Sequence, residues 1–337
     1  MSQPQKQSPP QLPIQISPFT LHDIPEISQI WTAALPLYPL PSETLQKLLP
    51  QPNAHHLVAR LDDKIVAFCL SYTSTTTTAH LAVLATTPEL QGQGIGSTLL
   101  AETLAYYRNK SSNPSNEENK YRIELGSSFP RFFPGVPTDL PLSVLDFFAH
   151  RGFQIRPATP RAVDLFLDIR RSFHLEAHEK YLGRAREVGV TFGVLREEGY
   201  AECLVGQARN FSYNSAWVDM YHKLHPTDHP SSIMTAFDSE GKQVGWTLML
   251  PPSSDILQEN WALPLLCGPR TGLIGCVGID EEARGSGIGL ALVSCAIEDM
   301  RERGVEGVFV DWVSMDGYYE KLGFEVWRRY RTGEILL

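Results

Sequence analysis

Two glycine-rich segments of this chain have the residue types and spacing to bind a phosphate. Residues 284–289 read RGSGIG and residues 91–96 read QGQGIG. In each case an apolar run of strand length precedes the glycines and a helix-forming run follows them. The unpaired N–H groups at a helix start carry a positive partial charge, and glycines let an anion come close to the backbone. The pattern therefore predicts a pyrophosphate-binding loop made mostly of main chain.

The two loops differ in the side chain that precedes the first glycine. Arg284 can add a charge-assisted contact to a phosphate, whereas Gln91 at the matching position is a weaker partner. The spacing is not the G-x-G-x-x-G of a dinucleotide fold, and no G-K-[ST] of a P-loop is present. An isolated loop of this kind is equally compatible with a tight turn that binds nothing, so the surrounding sequence has to decide.

A second pair of matching segments lies downstream of the loops. Residues 147–153 read FFAHRGF and residues 318–324 read YYEKLGF. The two loops align at an offset of 193 residues, since 284 minus 91 is 193. Two motifs repeated in the same order predict two copies of one αβ domain.

The combination of [QR]-G-x-G-I-G after a strand with Y-Y-E-K-L-G-F resembles the GNAT acetyltransferase superfamily. This resemblance implies an α/β (α+β) fold of two tandem GNAT-like domains, each with a mixed, mostly antiparallel sheet and flanking helices. It also implies acetyl-CoA as the cofactor, with the pyrophosphate on the loop and the pantetheine arm along the preceding strand. The implied cofactor-binding residues of the second half are Val277, Gly278, Ile279, Arg284, Gly285, Ser286, Gly287, Ile288 and Gly289, and a possible second site comprises Gln91, Gly92, Gln93, Gly94, Ile95 and Gly96.

A narrower resemblance concerns the acceptor. The run VFVDWVSMDGYYEKLGFEVWRRY, together with FFPGVP in the first half, is similar to glucosamine and glucosaminide N-acetyltransferases. It implies an amino sugar as the small-molecule substrate, acetylated at its 2-amino group. Two other hypotheses remain open at this point: a protein, histone or polyamine N-acetyltransferase, and a non-catalytic CoA-binding sensor or scaffold.

The chemistry of acetyl transfer to an amine selects the second half as the catalyst. The resemblance places Tyr319 where family members protonate the departing thiolate, and the first half has Phe148 there. The second half also has Arg284, so we expect the first half to be degenerate.

Several side chains near the second loop are candidates for contact with the acceptor. Asp311 ends an apolar strand and could take a proton from the amine or hold its ammonium, or simply cap the next helix. Trp312, Asp280 and Tyr318 are candidate substrate-binding residues. Trp312 could equally be a core aromatic, Tyr318 and Tyr319 could instead pack their helix onto the sheet, an alternative favoured for Tyr318, and Asp280 could point to solvent.

The hydrophobic pattern around these motifs predicts how they are positioned. Each loop follows a strand and opens a helix, and each aromatic motif is helical. We expect a disordered tail over residues 1–13, an N-terminal GNAT-like domain over residues 14–172 and a C-terminal catalytic domain over residues 173–337. We also expect a polar surface loop at residues 109–120 and an irregular insert at residues 251–271.

The composition of the chain narrows the possible classes of function and the compartment. The formal net charge of -9 argues against a nucleic-acid binder. The five scattered cysteines indicate a reducing compartment, and the absence of a long apolar run or signal sequence favours a cytoplasmic protein without membrane contact. His174 and His178 lack an evident third ligand, so no metal is expected. The sequence leaves open a monomer or a homodimer.

Overall fold

The computed structural model describes residues 13–110, 120–172 and 175–337. The expected tail lies outside the described residues except for residue 13. Most of the expected loop at residues 109–120 lies outside them too, as does His174.

Two of the strands lead directly into the glycine loops. In chain order they are β1 Gln15–Pro18, β2 Leu57–Leu61, β3 Lys64–Thr75, β4 Thr78–Thr86, β5 Arg122–Leu125, β6 Val136–Pro137, β7 Gln154–Ile155, β8 Ala162–Asp168, β9 Thr191–Val194, β10 Ile233–Phe237, β11 Gln243–Leu250, β12 Thr271–Ile279, β13 Gly307–Val313, β14 Glu325–Arg331 and β15 Gly333–Leu336.

The helices flank these strands. They are α1 Ile24–Ala34, α2 Ser42–Leu48, α3 Ile95–Lys110, α4 Leu142–Ala149, α5 Ile169–Ser172, α6 Leu175–Glu187, α7 Tyr200–Phe211, α8 Ser215–His222, α9 His229–Ser232, α10 Asp255–Asn260 and α11 Ile288–Glu302. Short 3-10 turns precede both glycine loops, at Pro88–Leu90 and Glu281–Ala283, and a third covers Tyr319–Leu322.

The chain divides into two compact units. The first comprises residues 1–128, 145–156 and 332–337, and the second comprises residues 129–144 and 157–331. The sheet of the first unit has the order β1-β2-β3-β4-β5-β15-β7, with β4 and β5 parallel and the other pairs antiparallel. Trp31 of α1 and Tyr107 of α3 are fully buried against it.

The sheet of the second unit repeats this plan. Its order is β6-β14-β8-β13-β12-β11-β10-β9, and only β12 and β13 are parallel. Helix α11 packs on β11 and β12 through an apolar face that includes Leu292, Val293 and Ile297. Two mixed, mostly antiparallel sheets with flanking helices confirm the expected fold class.

One interior strand of each sheet comes from an unexpected part of the chain. Strand β8, which follows the first aromatic motif, lies between β13 and β14 of the second unit, and β15, at the end of the chain, lies between β5 and β7 of the first. The compact units therefore differ from the expected contiguous domains at 14–172 and 173–337. Strand pairing is non-local, so the order of segments along the chain did not reveal this exchange.

Three local expectations also differ from the structure. Helices α7 and α8 occupy a stretch for which the hydrophobic pattern gave no element. The expected irregular insert contains α10 and a 3-10 turn at Pro264–Cys267, and the expected helix around Tyr319 is a single 3-10 turn.

In the described part of the chain, no helix is long and apolar enough to cross a membrane. No group of three or more His, Cys, Asp or Glu residues that could hold a metal ion occurs among the described residues.

Candidate functional site

The splay of two parallel strands opens the site in the second unit. Strands β12 and β13 pair only from Thr271 with Gly307 to Leu273 with Phe309. Beyond this point a bulge in β12 places Cys276 at a φ of 50°. The Tyr221 hydroxyl donates to the Cys276 carbonyl at 3.0 Å and holds the bulge in place. The edge of β12 from there to Ile279 has no register partner on β13, so its backbone groups can bond an extended ligand.

The glycine loop follows directly from that edge. Gly285 and Gly287 have φ values of 92° and 78°, a left-handed conformation that a side chain would strain. Helix α11 begins at Ile288, so the loop delivers its first free N–H groups to the open side of the sheet. The Nε of Arg284 donates to the Ile279 carbonyl at 3.1 Å, which fixes this exposed side chain beside the loop. Strand edge, loop and helix start are contiguous, as the sequence predicted.

An open cleft of about 800 Å³ lies over these elements. Its walls include Tyr181 and Arg184 of α6 and the aromatic side chains Phe211, Tyr213 and Trp217 of the α7–α8 region. None of these wall residues is among those that the sequence motifs single out. The apolar spacing within residues 200–211 and the aromatic cluster that follows are the signals that could have revealed this wall.

The two tyrosines of the aromatic motif both line the cleft but differ in burial. Tyr318 is half-buried, and its hydroxyl occupies the space beside Gly289 that a Cβ would fill. Tyr319 is buried, with its ring edge-on to those of Tyr318 and Phe324. Burial above all, with smaller contributions from Tyr318 and Asp311, raises the pKa of Tyr319 well above its usual value. The phenol therefore stays protonated, as a proton donor must.

Asp311 lies in a bulge at the end of β13, where it has two partners. The indole Nε1 of Trp261 donates to its Oδ2 at 3.0 Å, and the Nε of Arg131 lies 3.4 Å from the same oxygen. The guanidinium of Arg131 is stacked over the Trp312 ring, 4.0 Å from its centroid. Asp311 is thus an ion-paired residue surrounded by the side chains of Trp261 and Trp312. Neither Arg131 nor Trp261 was predicted, because each is distant from Asp311 in sequence.

A second buried carboxylate holds the same bulge from strand β8. Asp164 is 1% exposed and accepts hydrogen bonds from the Trp312 backbone N–H at 2.9 Å and the Tyr330 hydroxyl at 2.6 Å. These bonds stabilise Trp312 at a φ of 53°, an uncommon conformation for a tryptophan. Burial raises the pKa of Asp164 to about 7, although the bond from Tyr330 opposes the shift.

Asp280 has a role different from the predicted contact with substrate. It is 3% exposed, ion-paired with Arg209, and accepts a hydrogen bond from the Glu282 N–H at 3.3 Å. This carboxylate caps the 3-10 turn before the glycine loop, so its oxygens are engaged in holding the loop.

The first unit reproduces the loop geometry but has no hydroxyl at the position that matches Tyr319. Gly92 and Gly94 have φ values of 77° and 87°, and the Gln91 amide donates to the Thr86 carbonyl at 3.2 Å, as Arg284 does to Ile279. Phe147 lies beside Gly96 as Tyr318 lies beside Gly289. Phe148 is buried and has no hydroxyl to donate.

Comparisons with known proteins agree with this geometry. The model of the acetyltransferase (GNAT) family matches residues 24–118 and 197–324. A glucosamine N-acetyltransferase region of a fungal multi-domain GH3 β-N-acetylglucosaminidase shares 26% identity over 96% of this chain, with a TM-score of 0.84. This chain spans only 38% of that protein's length.

Two further solved structures show the same fold along nearly the whole chain. A GCN5-related N-acetyltransferase from Sphaerobacter thermophilus has a TM-score of 0.66 at 15% identity, covering 96% of both chains. A tandem GNAT protein from the clavulanic acid biosynthesis pathway has a TM-score of 0.62 at 16% identity, covering 96% of this chain and 98% of its own. A comparison with curated protein sequences gave no match.

Proposed function

The chain belongs to the GNAT acetyltransferase family, and from this premise we propose that it is an N-acetyltransferase that acetylates the 2-amino group of glucosamine or a glucosaminide with acetyl-CoA. The observation that carries the choice of acceptor is the 26% identity to a glucosamine N-acetyltransferase region, sustained over 96% of the chain. A shared fold alone would not identify which amine is acetylated.

The residues of the second unit fit acetyl-CoA, which is the acetyl donor of this family. The backbone of Val277, Gly278 and Ile279 lies on the unpaired edge of β12 and can bond the amides of the pantetheine arm. Gly285, Ser286 and Gly287, with the start of α11, can bond the pyrophosphate. Arg184 and Arg284 are both exposed at this cleft and add positive charge where the phosphates would lie. When bound, the cofactor supplies an activated acetyl thioester.

Asp311 and Tyr319 divide the work of transfer. We assign to Asp311 the binding of the incoming ammonium, because its carboxylate is fixed by Trp261 and Arg131; the ammonium would lose one proton to solvent before its nitrogen attacks the thioester carbon. We assign to Tyr319 the proton delivered to the thiolate as the carbon–sulfur bond breaks, and the second proton lost by the nitrogen would restore the phenol. Asp311 lines the small notch at the end of β13, and Tyr319 lines the cleft over the glycine loop.

An acceptor panel tests this proposal. The purified chain is incubated with acetyl-CoA and, separately, glucosamine, a lysine-containing peptide and spermidine, and thiol release is followed. The expected result is amine-dependent release that is fastest with glucosamine, with N-acetylglucosamine as the product. Turnover of the peptide or the polyamine without turnover of glucosamine would overturn the choice of acceptor.

A further inference from the structure

Beside Asp311, the second unit encloses a notch that is too small for a whole substrate. Its space of about 10 Å³ is close to that needed by a single water-sized group. Aromatic side chains and prolines form most of its walls, and the polar side chains that face it are Arg131, Asp164 and Asp311. One cation and two carboxylates therefore surround a space for one water-sized group, and apolar side chains enclose them.

Arg131 is fixed in this notch from every side. Its guanidinium lies between the rings of Phe129 and Trp312, at 4.4 Å and 4.0 Å from their centroids. Its backbone N–H donates to the Asn260 carbonyl at 2.7 Å, and its backbone carbonyl accepts from the Ala262 N–H at 2.9 Å. The aromatic rings cover the two faces of the guanidinium, so hydrogen bonds are available only in its plane.

Two nitrogens of this guanidinium are buried without a hydrogen bond. The Nε and Nη1 of Arg131 are shielded from solvent and donate no hydrogen bond to any residue that the structure describes, although the Nε lies within ion-pair distance of Asp311. Leaving a charged donor buried and unsatisfied costs more than an ordinary lost hydrogen bond. The site therefore calls for an external group that accepts from a guanidinium and is no larger than a water molecule.

We infer that this notch binds a hydroxyl group of the acceptor, located close to the amine that Asp311 holds. A hydroxyl can accept from Arg131 and donate to a carboxylate, which matches the mixed lining, whereas a bare carbon ring can do neither. This inference rests on the proposed acetyl transfer and deepens it. Arg131 becomes a specificity-determining residue that selects hydroxylated amines over plain alkyl amines.

The notch also explains why the first half of the chain is needed at the catalytic site. Arg131 and Asp164 both precede residue 173, yet they belong to the compact unit that carries the glycine loop and Tyr319. A C-terminal half on its own would lack both polar groups that face Asp311 in the notch.

A matched pair of acceptors tests the inference in the full-length protein. 2-Aminocyclohexanol carries one hydroxyl beside its amine, and cyclohexylamine has the same ring without it. A hydrogen bond to a charged group corresponds to about a ten- to hundredfold preference, so wild-type kcat/KM should favour 2-aminocyclohexanol by that factor. The Arg131→Gln variant should lower this ratio to near one, because the hydroxylated amine loses its hydrogen bond. Since Arg131 also pairs with Asp311, activity with both amines should fall, and the ratio of the two kcat/KM values is the readout.

A control variant separates recognition from general damage to the unit. Arg328 is also stacked on an indole, 4.5 Å from the Trp327 centroid, and is also paired with an aspartate, Asp139 at 3.3 Å, but it does not line the notch. Arg328→Gln should keep the wild-type ratio. If Arg131→Gln fails to fold, the more conservative Arg131→Lys variant supplies the comparison, with partial retention of the ratio expected.

The outcomes distinguish the inference from the proposed function. Equal kcat/KM for the two ring amines in the wild-type protein, together with turnover of glucosamine, would overturn the hydroxyl notch alone and assign the space to a structural water. A ratio unchanged in Arg131→Gln would remove Arg131 from recognition. Absence of transfer to any amine would refute the proposed function, and with it the notch.

Discussion

At the scale of residues, the glycine loop could be predicted from the local sequence, whereas the other residues of the site are brought together by contacts between distant segments. Gly285 and Gly287 are recognisable in sequence because a left-handed backbone after a strand needs glycine. Arg131, Asp164 and Trp261 carry no such local signature. They reach Asp311 or its bulge from segments that are 50 or more residues away, since 311 minus 261 is 50. Their roles emerge only from strand pairing.

Substitution of Tyr319 tests the proton donor. Tyr319→Phe removes only the hydroxyl, so kcat should fall by about a hundredfold, the scale of general acid catalysis, while the affinity for CoA stays unchanged. Initial rates and a calorimetric CoA titration measure the two quantities. Because the Tyr318 hydroxyl lines the same cleft, a fall in kcat for Tyr318→Phe but not for Tyr319→Phe would transfer the role to Tyr318.

The buried carboxylate of Asp164 should make stability depend on pH. Its pKa is about 7 in the folded chain and near 4 when unfolded, so between these values the folded state binds more protons. Stability should therefore fall as pH rises from about 4 to about 7, by roughly 1.4 kcal/mol per pH unit at most.

The isosteric variant isolates this contribution. Asp164→Asn can still accept from the Trp312 N–H but does not titrate in this range. The difference in unfolding temperature between wild-type and variant proteins, measured at pH 5 and pH 7.5, should shift in favour of the variant at the higher pH. Parallel pH profiles for the two proteins would show that Asp164 stays ionised.

At the scale of elements, periodicity predicted the strands and helices that frame the loops but not the way in which the sheets are completed. The apolar runs of β4 and β12 and the helix starts after them confirm that part of the prediction. Helices α8 and α10 have only eight and six residues, so their periodicity is weak. Helix α7 has twelve residues, and its apolar spacing and the packing of Phe211 over Gly278 become evident in the structure. The exchange of β8 and β15 depends on pairing partners that are distant in the chain.

Two fragments test the importance of β8 for the second unit. A fragment of residues 173–337 lacks this strand, so β13 and β14 lose the partner between them and the buried contacts of Val163, Leu165 and Leu167 disappear. A fragment of residues 157–331 retains it. Circular dichroism during heating should show a cooperative transition for the second fragment and none for the first. Equal cooperative transitions would mean that β8 is dispensable.

At the scale of the whole molecule, the chain holds two unequal copies of one glycine loop. Both copies keep glycines at matching φ values and matching bonds at Gln91 and Arg284. The second copy has Tyr319 where the first has Phe148, and its unit contains the polar notch beside Asp311. The sequence foretold this asymmetry through Phe148 and Tyr319, and the structure adds that residues of the first half belong to the unit that carries Tyr319.

Calorimetric titration with CoA tests most directly the claim that the second unit is the acetyl-transfer site. Gly94→Ala and Gly287→Ala impose the same left-handed strain at matching positions, at φ values of 87° and 78°. We expect one CoA site per wild-type chain, unchanged by Gly94→Ala and weakened at least tenfold by Gly287→Ala. Weakening by Gly94→Ala together with unchanged binding in Gly287→Ala would contradict the account and place the cofactor on the first unit.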